Sequence, residues 1–216
     1  MATVAVYTIF TSIQGESTHA GRPCTFVRLA GCPLECSFCD TLEARGSAGV
    51  PTPIDEVVAR VKERGCGLVE VTGGEPLHQE GTIALIEALI EAGFEVLVET
   101  SGAISIDGID ERACVVMDVK TPGSGMADRM DPDNLERIAD RGDQVKFVIT
   151  SRGDFSWSEE IIRRETLEGR CEILFSPVSG MVVPADLARW LLDSGLRARL
   201  QLQLHRAIWP SGEIEE

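Results

Sequence analysis

Six short apolar runs, separated by helical patterns, constrain this chain to an α/β fold. The runs are rich in Val, Ile or Phe and several end in Gly, Ser, Thr or Pro, as strands do; they are CTFVRLAG, GLVEVTGG, FEVLVETSG, CVVMDVK, QVKFVIT and CEILFSP. Between many of them lie segments with apolar residues at helical spacing: PIDEVVARVKERG, GTIALIEALIEAG, DNLERIADRG, WSEEIIRRETLEG and PADLARWLLDSG. This alternation predicts βαβ units and a mainly parallel sheet.

The length limits how far such a sheet can close. An eightfold barrel takes roughly 250 residues, whereas this chain has 216. We therefore predict a single domain over residues 1–216. Its fold is an incomplete TIM-like barrel of about six mainly parallel strands, with helices outside.

In parallel α/β folds the chemistry gathers at the C-terminal ends of the strands. Three features of the sequence follow predicted strands: Cys32 after TFVRLAG, GGEP after LVEVT, and Thr100-Ser101-Gly102 after EVLVE. The Gly- and Pro-rich segment 120–133 is predicted to be one long loop at another strand end. We expect these segments to form one site.

The charge and hydropathy exclude several functions. The net charge is −15 and Lys and Arg form no basic stripe, which argues against a nucleic-acid partner. The N-terminus MATVAVYTIF shows no signal-peptide pattern, and the apolar run TIALIEALIEAGF is interrupted by Glu87 and Glu91. We expect a cytoplasmic protein without a membrane span.

Cys32, Cys36 and Cys39 lie within eight residues, in a C-x3-C-x2-C spacing. A structural zinc site takes four ligands, so a Cys3His site completed by His19 or His78 is one interpretation. A 4Fe–4S cluster also takes four thiolates, and three would leave one iron open for a substrate or cosubstrate. The sequence allows both.

The other four cysteines stand alone: Cys24, Cys66, Cys114 and Cys171. A disulfide framework would suit a shorter secreted chain. Because an unpaired cysteine is among the most buried residue types, we predict that most of these are small apolar residues inside the fold.

The C-x3-C-x2-C spacing resembles the cluster motif of radical S-adenosylmethionine enzymes, and TGGEP at Thr72–Pro76 resembles a turn of the same superfamily. The resemblance implies that S-adenosylmethionine chelates the open iron and that the reduced cluster cleaves it to a 5′-deoxyadenosyl radical. Activases that make glycyl radicals on a partner enzyme share the cysteine spacing and are the alternative.

The segment FTSIQGESTHAGRPCTFVRLAGCPLECSFCDT (10–41) and the ending QLHRAIWP (203–210) resemble the 7-carboxy-7-deazaguanine synthase family. The resemblance implies ring contraction of 6-carboxy-5,6,7,8-tetrahydropterin, with hydrogen abstraction from C6, loss of ammonia and regeneration of S-adenosylmethionine. It also implies Mg2+, a homodimer and a flavodoxin-like or ferredoxin-like electron donor.

The same resemblance assigns individual residues. The implied cluster ligands are Cys32, Cys36 and Cys39, and Thr41 is the implied Mg2+ ligand. The implied S-adenosylmethionine contacts are Phe38, Cys39, Asp40, Gly74, Asp118, Val119, Lys120, Ser176, Pro177, Val178 and Ser179. The implied pterin contacts are Ile13, Gln14, Gly15, Arg28, Thr72 and Pro210.

Three residues in the segment 10–41 carry alternative interpretations. Arg28 presents a fork that suits a substrate carboxylate, or it forms a salt bridge at a strand edge. Glu16 accepts pterin N–H donors, or it is an exposed loop acid. Thr41 is a hard oxygen ligand for Mg2+, or it caps the helix that follows.

The chain departs from the family pattern at three places. Ser17 stands where the family often has Gly, which removes backbone freedom from that loop. Asp118-Val119-Lys120 stands where many relatives have Ser-Pro-Lys. The sequence continues past Pro210 with SGEIEE, and we expect residues 210–216 to be a solvated acidic tail.

Overall fold

The computed structural model describes residues 2–46, 49–138 and 142–209. In these ranges the backbone forms one open nine-stranded sheet in the order β3-β1-β2-β4-β5-β6-β7-β8-β9. The strands are β1 (Thr3–Ile13), β2 (Pro23–Leu29), β3 (Val50–Pro53), β4 (Leu68–Gly73), β5 (Glu95–Thr100), β6 (Cys114–Val119), β7 (Gln144–Ile149), β8 (Glu172–Pro177) and β9 (Arg199–Leu200).

The six predicted strands are β2 and β4 to β8, and all pair in parallel as expected. The sequence analysis missed β1, β3 and β9. β1 pairs antiparallel with both β2 and β3, so one edge of the sheet is antiparallel. β3 has four residues with prolines at Pro51 and Pro53, which suits only an edge strand, and β9 has two residues. The partial TIM-like barrel is confirmed, with this extra antiparallel edge.

Helices connect the strands: α1 (Leu42–Gly46), α2 (Ile54–Arg64), α3 (Thr82–Glu91), α4 (Asn134–Arg137), α5 (Arg152–Arg164), α6 (Pro184–Ser194) and α7 (Leu204–Ile208). The predicted helices over α2, α3 and α6 are confirmed. α5 begins earlier than its apolar pattern suggested, because the Ser151 hydroxyl accepts a hydrogen bond from the Asp154 amide (3.2 Å) and caps it. α4 is a single turn, and residues 139–141 of that predicted helix lie outside the described ranges.

Alternation along the strands gives the sheet two different faces. The outer face carries the main apolar core and packs against the helices; in β4, Val69 and Val71 belong to it. The inner face begins with a small apolar layer that contains Phe10, Cys24, Phe26, Leu68 and Leu97. Further along the same strands the inner face turns polar. The helix-packed face therefore stabilises the fold, and functional side chains are expected on the polar inner face.

The isolated cysteines are less uniform than predicted. Cys24 is fully buried, and burial raises the pKa of its thiol. Cys66, Cys114 and Cys171 are partly exposed, so the expectation of burial is wrong for these three. They lie at or next to the beginning of strands, where the sheet meets solvent. None of the seven cysteines, all within the described ranges, forms a disulfide.

Among the helices of the described ranges, none has the length and apolar character that crossing a bilayer requires.

Candidate active site

The GGEP turn after β4 packs directly against the loop that carries the first cysteine. The Gly74 amide donates to the Leu29 carbonyl (3.1 Å), and the Glu75 amide donates to the Gly31 carbonyl (2.8 Å). A Cβ on Gly74 would lie 2.7 Å from the Gly31 carbonyl carbon and 2.8 Å from the Cys32 Cβ. Only glycine fits this approach, so the two motifs that the sequence analysis singled out form one structure.

Glu75 ties this turn to the end of the neighbouring strand β5. Its buried carboxylate accepts hydrogen bonds from the Leu77 amide (3.0 Å), the Thr100 hydroxyl (2.8 Å), and the amide and hydroxyl of Ser101 (2.7 and 2.5 Å). Hydrogen bonds to a charged acceptor are the stronger kind. The carboxylate thus fixes the relative position of two strand ends at the site.

Replacing Glu75 with alanine is expected to lower the free energy of unfolding by about 2–3 kcal/mol, because buried donors on Ser101 lose their acceptor. Glu75→Gln keeps one acceptor oxygen and is expected to lose less. Urea unfolding of both variants measures the difference. Equal stability of Glu75→Ala and the wild type would contradict the role of this carboxylate.

The cysteine loop is held by backbone contacts and by the loop after β6. The Leu34 amide lies 3.5 Å from the Cys32 sulfur, and the Cys39 amide donates to the Cys36 carbonyl (3.2 Å). Ser37 donates through its amide to Ser124 (3.0 Å) and through its hydroxyl to Gly123 (2.8 Å). The predicted long loop 120–133 therefore does contribute to the site, by covering the cysteine segment.

All three motif cysteines are partly exposed. Burial raises the pKa of the Cys32 and Cys36 thiols, and the Lys120 ammonium opposes this at Cys36. In the described ranges no three Cys, His, Asp or Glu side chains converge on one metal-ion position. A zinc ion needs such convergence at about 2.3 Å from each sulfur, whereas the cysteines of a 4Fe–4S cluster each hold a different iron. His19 contacts Glu95 at the beginning of β5 (3.0 Å), at the opposite end of the sheet from the cysteines, which argues against His19 as a zinc ligand.

Asp118 lies near the end of β6 and Lys120 just after it. The Lys120 ammonium lies 2.7 Å from the Asp118 carboxylate. Burial lowers the pKa of Lys120, but Asp118 and the Cys36 sulfur outweigh it and raise the pKa. The other Asp118 oxygen, Oδ1, is buried without a hydrogen-bond partner among the described residues.

The remaining residues assigned to S-adenosylmethionine differ in accessibility. Val119 is buried in the outer core, so only its backbone is available to a ligand. Phe38, Pro177 and Val178 are half-buried, Ser176 is buried, and Asp40 and Ser179 are exposed. The segment 176–179 extends from the end of β8, at the same end of the sheet as the cysteines.

Arg28 and Thr41 meet between β2 and the cysteine loop. The Arg28 guanidinium lies 3.4 Å from the Thr41 hydroxyl and 5.9 Å from the centre of the Phe10 ring. In the described ranges no carboxylate lies within ion-pair distance of Arg28, so the salt-bridge alternative is wrong there. The Thr41 hydroxyl donates to Asp40 (3.1 Å), and among the described residues it accepts from Arg28 and from no amide of α1, so its side chain does not make the capping contact. Its carbonyl accepts from the Arg45 amide (3.3 Å).

Beneath these residues lies a buried charged layer that the sequence analysis missed. The Lys146 ammonium lies 2.6 Å from Glu16, 2.5 Å from Glu99 and 4.0 Å from Asp118. Burial lowers the pKa of Lys146, but the three carboxylates outweigh it and the pKa lies well above its usual value. Burial likewise opposes ionisation of Glu99, but Lys146 lowers the pKa of Glu99 to about 2. The layer is therefore ionised at Lys146 and Glu99.

Thr72 joins this layer to the GGEP turn, since its hydroxyl donates to Glu99 (3.2 Å). Glu70, two residues earlier on β4, is buried and accepts from the Gln14 amide. A signal for these residues exists in the sequence: single ionisable residues interrupt the apolar runs LVEVT, VLVET and QVKFV. On a strand with one helix-covered face, such residues belong to the opposite face.

The loop after β1 and the C-terminal segment close the site from one side. Glu16 accepts from Gln201 (3.1 Å) and Gln203 (2.8 Å), and its side chain is 17% exposed. The interpretation of Glu16 as an exposed loop acid is therefore wrong. Ser17 adopts φ 63°, the left-handed conformation that glycine favours, and its amide donates to Gln201 (2.7 Å). The serine at this position thus carries the expected backbone cost.

Gly15 contacts the last helix directly. Its carbonyl accepts from the Leu204 amide (3.0 Å), and a Cβ at this position would collide with the His205 ring. Ile13 ends β1 opposite Pro23. The described part of the C-terminus thus reaches the predicted pterin residues, whereas Pro210, assigned to the same group, lies outside the described residues.

Two comparisons define the class of protein. A crystal structure of QueE from Escherichia coli matches with a TM-score of 0.74 over 94% of this chain and 95% of that one, at 22% identity, and shows the same fold. The family model of the Radical SAM superfamily matches residues 27–122, which contain the cysteine motif and the GGEP turn. The chain is a radical S-adenosylmethionine enzyme, with a 4Fe–4S cluster and S-adenosylmethionine as its cofactors.

Relatives narrow the class. A 7-carboxy-7-deazaguanine synthase from Chlorobaculum tepidum is 42% identical over 203 residues, covering 93% of this chain and 92% of the relative. The chain belongs to the 7-carboxy-7-deazaguanine synthase family. A synthase of the same name from Koribacter versatilis is 38% identical over 216 residues, covering 93% and 95%. These matches do not favour the glycyl-radical activase.

Proposed function

We propose that the inner face of this sheet binds 6-carboxy-5,6,7,8-tetrahydropterin and converts it to 7-carboxy-7-deazaguanine with loss of ammonia. Membership of the family makes the chain a lyase of deazapurine biosynthesis. The observation that carries the proposal is the meeting of Arg28, Thr41 and Thr72 with the cysteine loop and the GGEP turn. The Arg28 guanidinium would bind the substrate carboxylate, and the Thr41 hydroxyl would bind a metal ion. Both would then lie next to the cluster motif around one small substrate.

Arg28 is the proposed partner of the substrate carboxylate. No carboxylate of the described residues lies within 4.0 Å of its guanidinium, and the nearby Glu99 charge acts on it only at longer range, so the fork remains available for a bidentate pair. The Phe10 ring below it restricts the arginine to one orientation. The pterin ring would lie between Arg28 and the charged layer, with Gln14, Gly15, Ile13 and Thr72 along its edge.

Thr41 and Asp40 are the proposed surroundings of Mg2+. Mg2+ prefers oxygen ligands and keeps several waters, so a threonine hydroxyl and a substrate carboxylate suffice as its other ligands. The Thr41 hydroxyl contacts Asp40 (3.1 Å) and Arg28 (3.4 Å), so both side chains would adjoin the ion. The ion would hold the substrate carboxylate in place while the ring rearranges.

Cys32, Cys36 and Cys39 are the proposed cluster ligands, with Gly74, Asp118 and Lys120 beside the S-adenosylmethionine. The cluster and this cosubstrate, when bound, supply one-electron cleavage that yields a carbon radical able to remove hydrogen from the pterin. The chain itself orients the two reactants, since Glu75 fixes the strand ends and loop 120–133 holds the cysteine loop. A flavodoxin-like or ferredoxin-like protein as reductant, and a homodimer, complete the proposal.

The test is an anaerobic assay with reconstituted enzyme, S-adenosylmethionine, a strong reductant, Mg2+ and 6-carboxytetrahydropterin. We expect a product with the mass of 7-carboxy-7-deazaguanine, formed with catalytic rather than stoichiometric S-adenosylmethionine. Omission of the pterin serves as the control. Slow release of 5′-deoxyadenosine without pterin turnover would show that the radical core is right and the substrate wrong.

A further inference from the structure

We propose that Glu70 is a positioning residue for the pterin site: its carboxyl group stays protonated, accepts from Gln14 and donates its proton to the Glu99 carboxylate. This inference rests on the proposed function for its effect on substrate. Glu70 is absent from the residues that the family resemblance assigns.

The location of Glu70 excludes contact with solvent. It sits in the middle of β4 on the inner face, is 4% exposed, and pairs in register with Phe26 of β2 and Leu97 of β5. The apolar ring and aliphatic chain on its two sides offer no cation. An ionised carboxylate at this point would lack a direct countercharge.

Glu99 lies diagonally across from Glu70 on the same face of β5, two residues beyond Leu97. Glu70 is buried and Glu99, whose side chain is 28% exposed, already carries the charge paired with Lys146, so a second charge is disfavoured at Glu70 and the pair holds one proton. The surroundings decide which group keeps it. Glu99 accepts from the Lys146 ammonium (2.5 Å) and from the Thr72 hydroxyl (3.2 Å). Among the described residues, Glu70 accepts from one side-chain donor, the neutral amide of Gln14.

The charged groups around Glu70 support this assignment. Two anions face Glu70: Glu99 of β5 and Glu16 of the β1–β2 loop. Lys146 of β7 is the facing cation, and it is bound by those same two anions. Burial, and then Glu99, raise the pKa of Glu70 well above its usual value. A hydrogen bond from the Glu70 carboxyl also helps to lower the pKa of Glu99.

Protonated Glu70 fixes the orientation of Gln14. The Gln14 carbonyl oxygen accepts from the Glu16 amide (2.9 Å), and its NH2 group donates to Glu70. These two contacts allow only one of the two amide orientations. Because Gln14 is only 2% exposed, its fixed amide acts on the pterin site by holding the loop that carries Glu16.

The matched variants are Glu70→Gln, which imitates the protonated acid, and Glu70→Ala, which removes it. In the cluster-loaded enzyme, calorimetry is expected to show pterin affinity roughly 3- to 10-fold weaker in Glu70→Ala, the cost of one lost buried hydrogen bond. Glu70→Gln is expected to restore most of that loss. An equal loss in both variants would overturn the proposal, because an amide would then fail to replace the acid.

Infrared spectroscopy measures protonation without any substrate. We expect a protonated-carboxyl C=O band in the wild type near neutral pH that is missing in Glu70→Gln. Its absence from the wild type would mean that Glu70 is ionised and would overturn the proposal even if Glu70→Ala fails to fold. If the wild type shows the band but binds no pterin, the proposed substrate is wrong while the proton on Glu70 stands.

Stability gives a second substrate-free readout. In the unfolded chain Glu70 ionises near its ordinary value of about 4.3, whereas in the folded chain it keeps its proton. Above that pH the folded state binds more protons, so its stability falls as pH rises. Glu70→Gln removes this penalty, and its melting temperature relative to the wild type is therefore expected to rise with pH. A constant difference would contradict the retained proton.

Discussion

Replacing Cys36 with alanine is expected to abolish cluster assembly and all product formation. Each cysteine of the C-x3-C-x2-C motif anchors a different iron, so the loss of one leaves two anchors and two of the four irons without a protein ligand. Iron and acid-labile sulfide per chain, the visible absorption of the cluster and product formation measure the effect. The expected result is a folded protein without a cluster.

Cys66→Ala is the matched control, because Cys66 is a partly exposed cysteine just before β4, at the opposite end of that strand from the GGEP turn. It is expected to keep the iron, sulfide and activity of the wild type. Full cluster content in Cys36→Ala would refute the ligand assignment. Zinc in place of iron in the wild type would restore the Cys3His interpretation.

Lys146→Met is expected to lower the free energy of unfolding by about 3–5 kcal/mol near neutral pH, because it leaves buried carboxylates without their shared cation. Glu16, Glu99 and Asp118 all face the Lys146 ammonium within 4.0 Å. Methionine fills a similar volume, so the loss reports the charge rather than a cavity. Urea unfolding of cluster-matched samples measures it.

The pH dependence of this loss has a definite sign. The pKa of Glu99 is about 2 in the folded wild type, below its unfolded value of about 4.3, so its pairing stabilises the fold above that unfolded value. Without Lys146 the carboxyl protonates at higher pH, and the gap between variant and wild type is expected to narrow between about pH 7 and about pH 5. Lys62→Met, on the exposed side of α2, is the control and is expected to change stability little at either pH. A gap that is independent of pH would contradict the charge explanation.

The strands and the cysteine motif were predictable from sequence, because both are local patterns. Apolar runs identified β2 and β4 to β8, and the spacing of three thiols identified the cluster loop. β1 was missed because its alternation is interrupted by an irregularity in its pairing between Val6 and Thr8. β3 and β9 were missed because two to four residues carry too little periodicity. The pairing of an edge strand depends on long-range contacts that a local pattern does not contain.

The charged layer was harder to predict for a related reason. Glu70, Glu99 and Lys146 come from three strands, and each appears in sequence as one polar residue in an apolar run. Only the sheet register brings Lys146 next to Glu99, and only the loop after β1 adds Glu16. The roles of the residues named by resemblance alone, such as Val178 and Ser179, stay predictions.

The separation of the two faces along each strand has a consequence for how such an enzyme can change. Positions 69 and 71 of β4 lie in the main apolar core, whereas positions 70 and 72 face the polar inner side. Neighbouring residues therefore have different structural requirements. A library that varies the inward positions of β4, β5 and β7, but keeps the charged layer of Glu70, Glu99 and Lys146, would test new ring systems while the helix-packed scaffold stays unchanged.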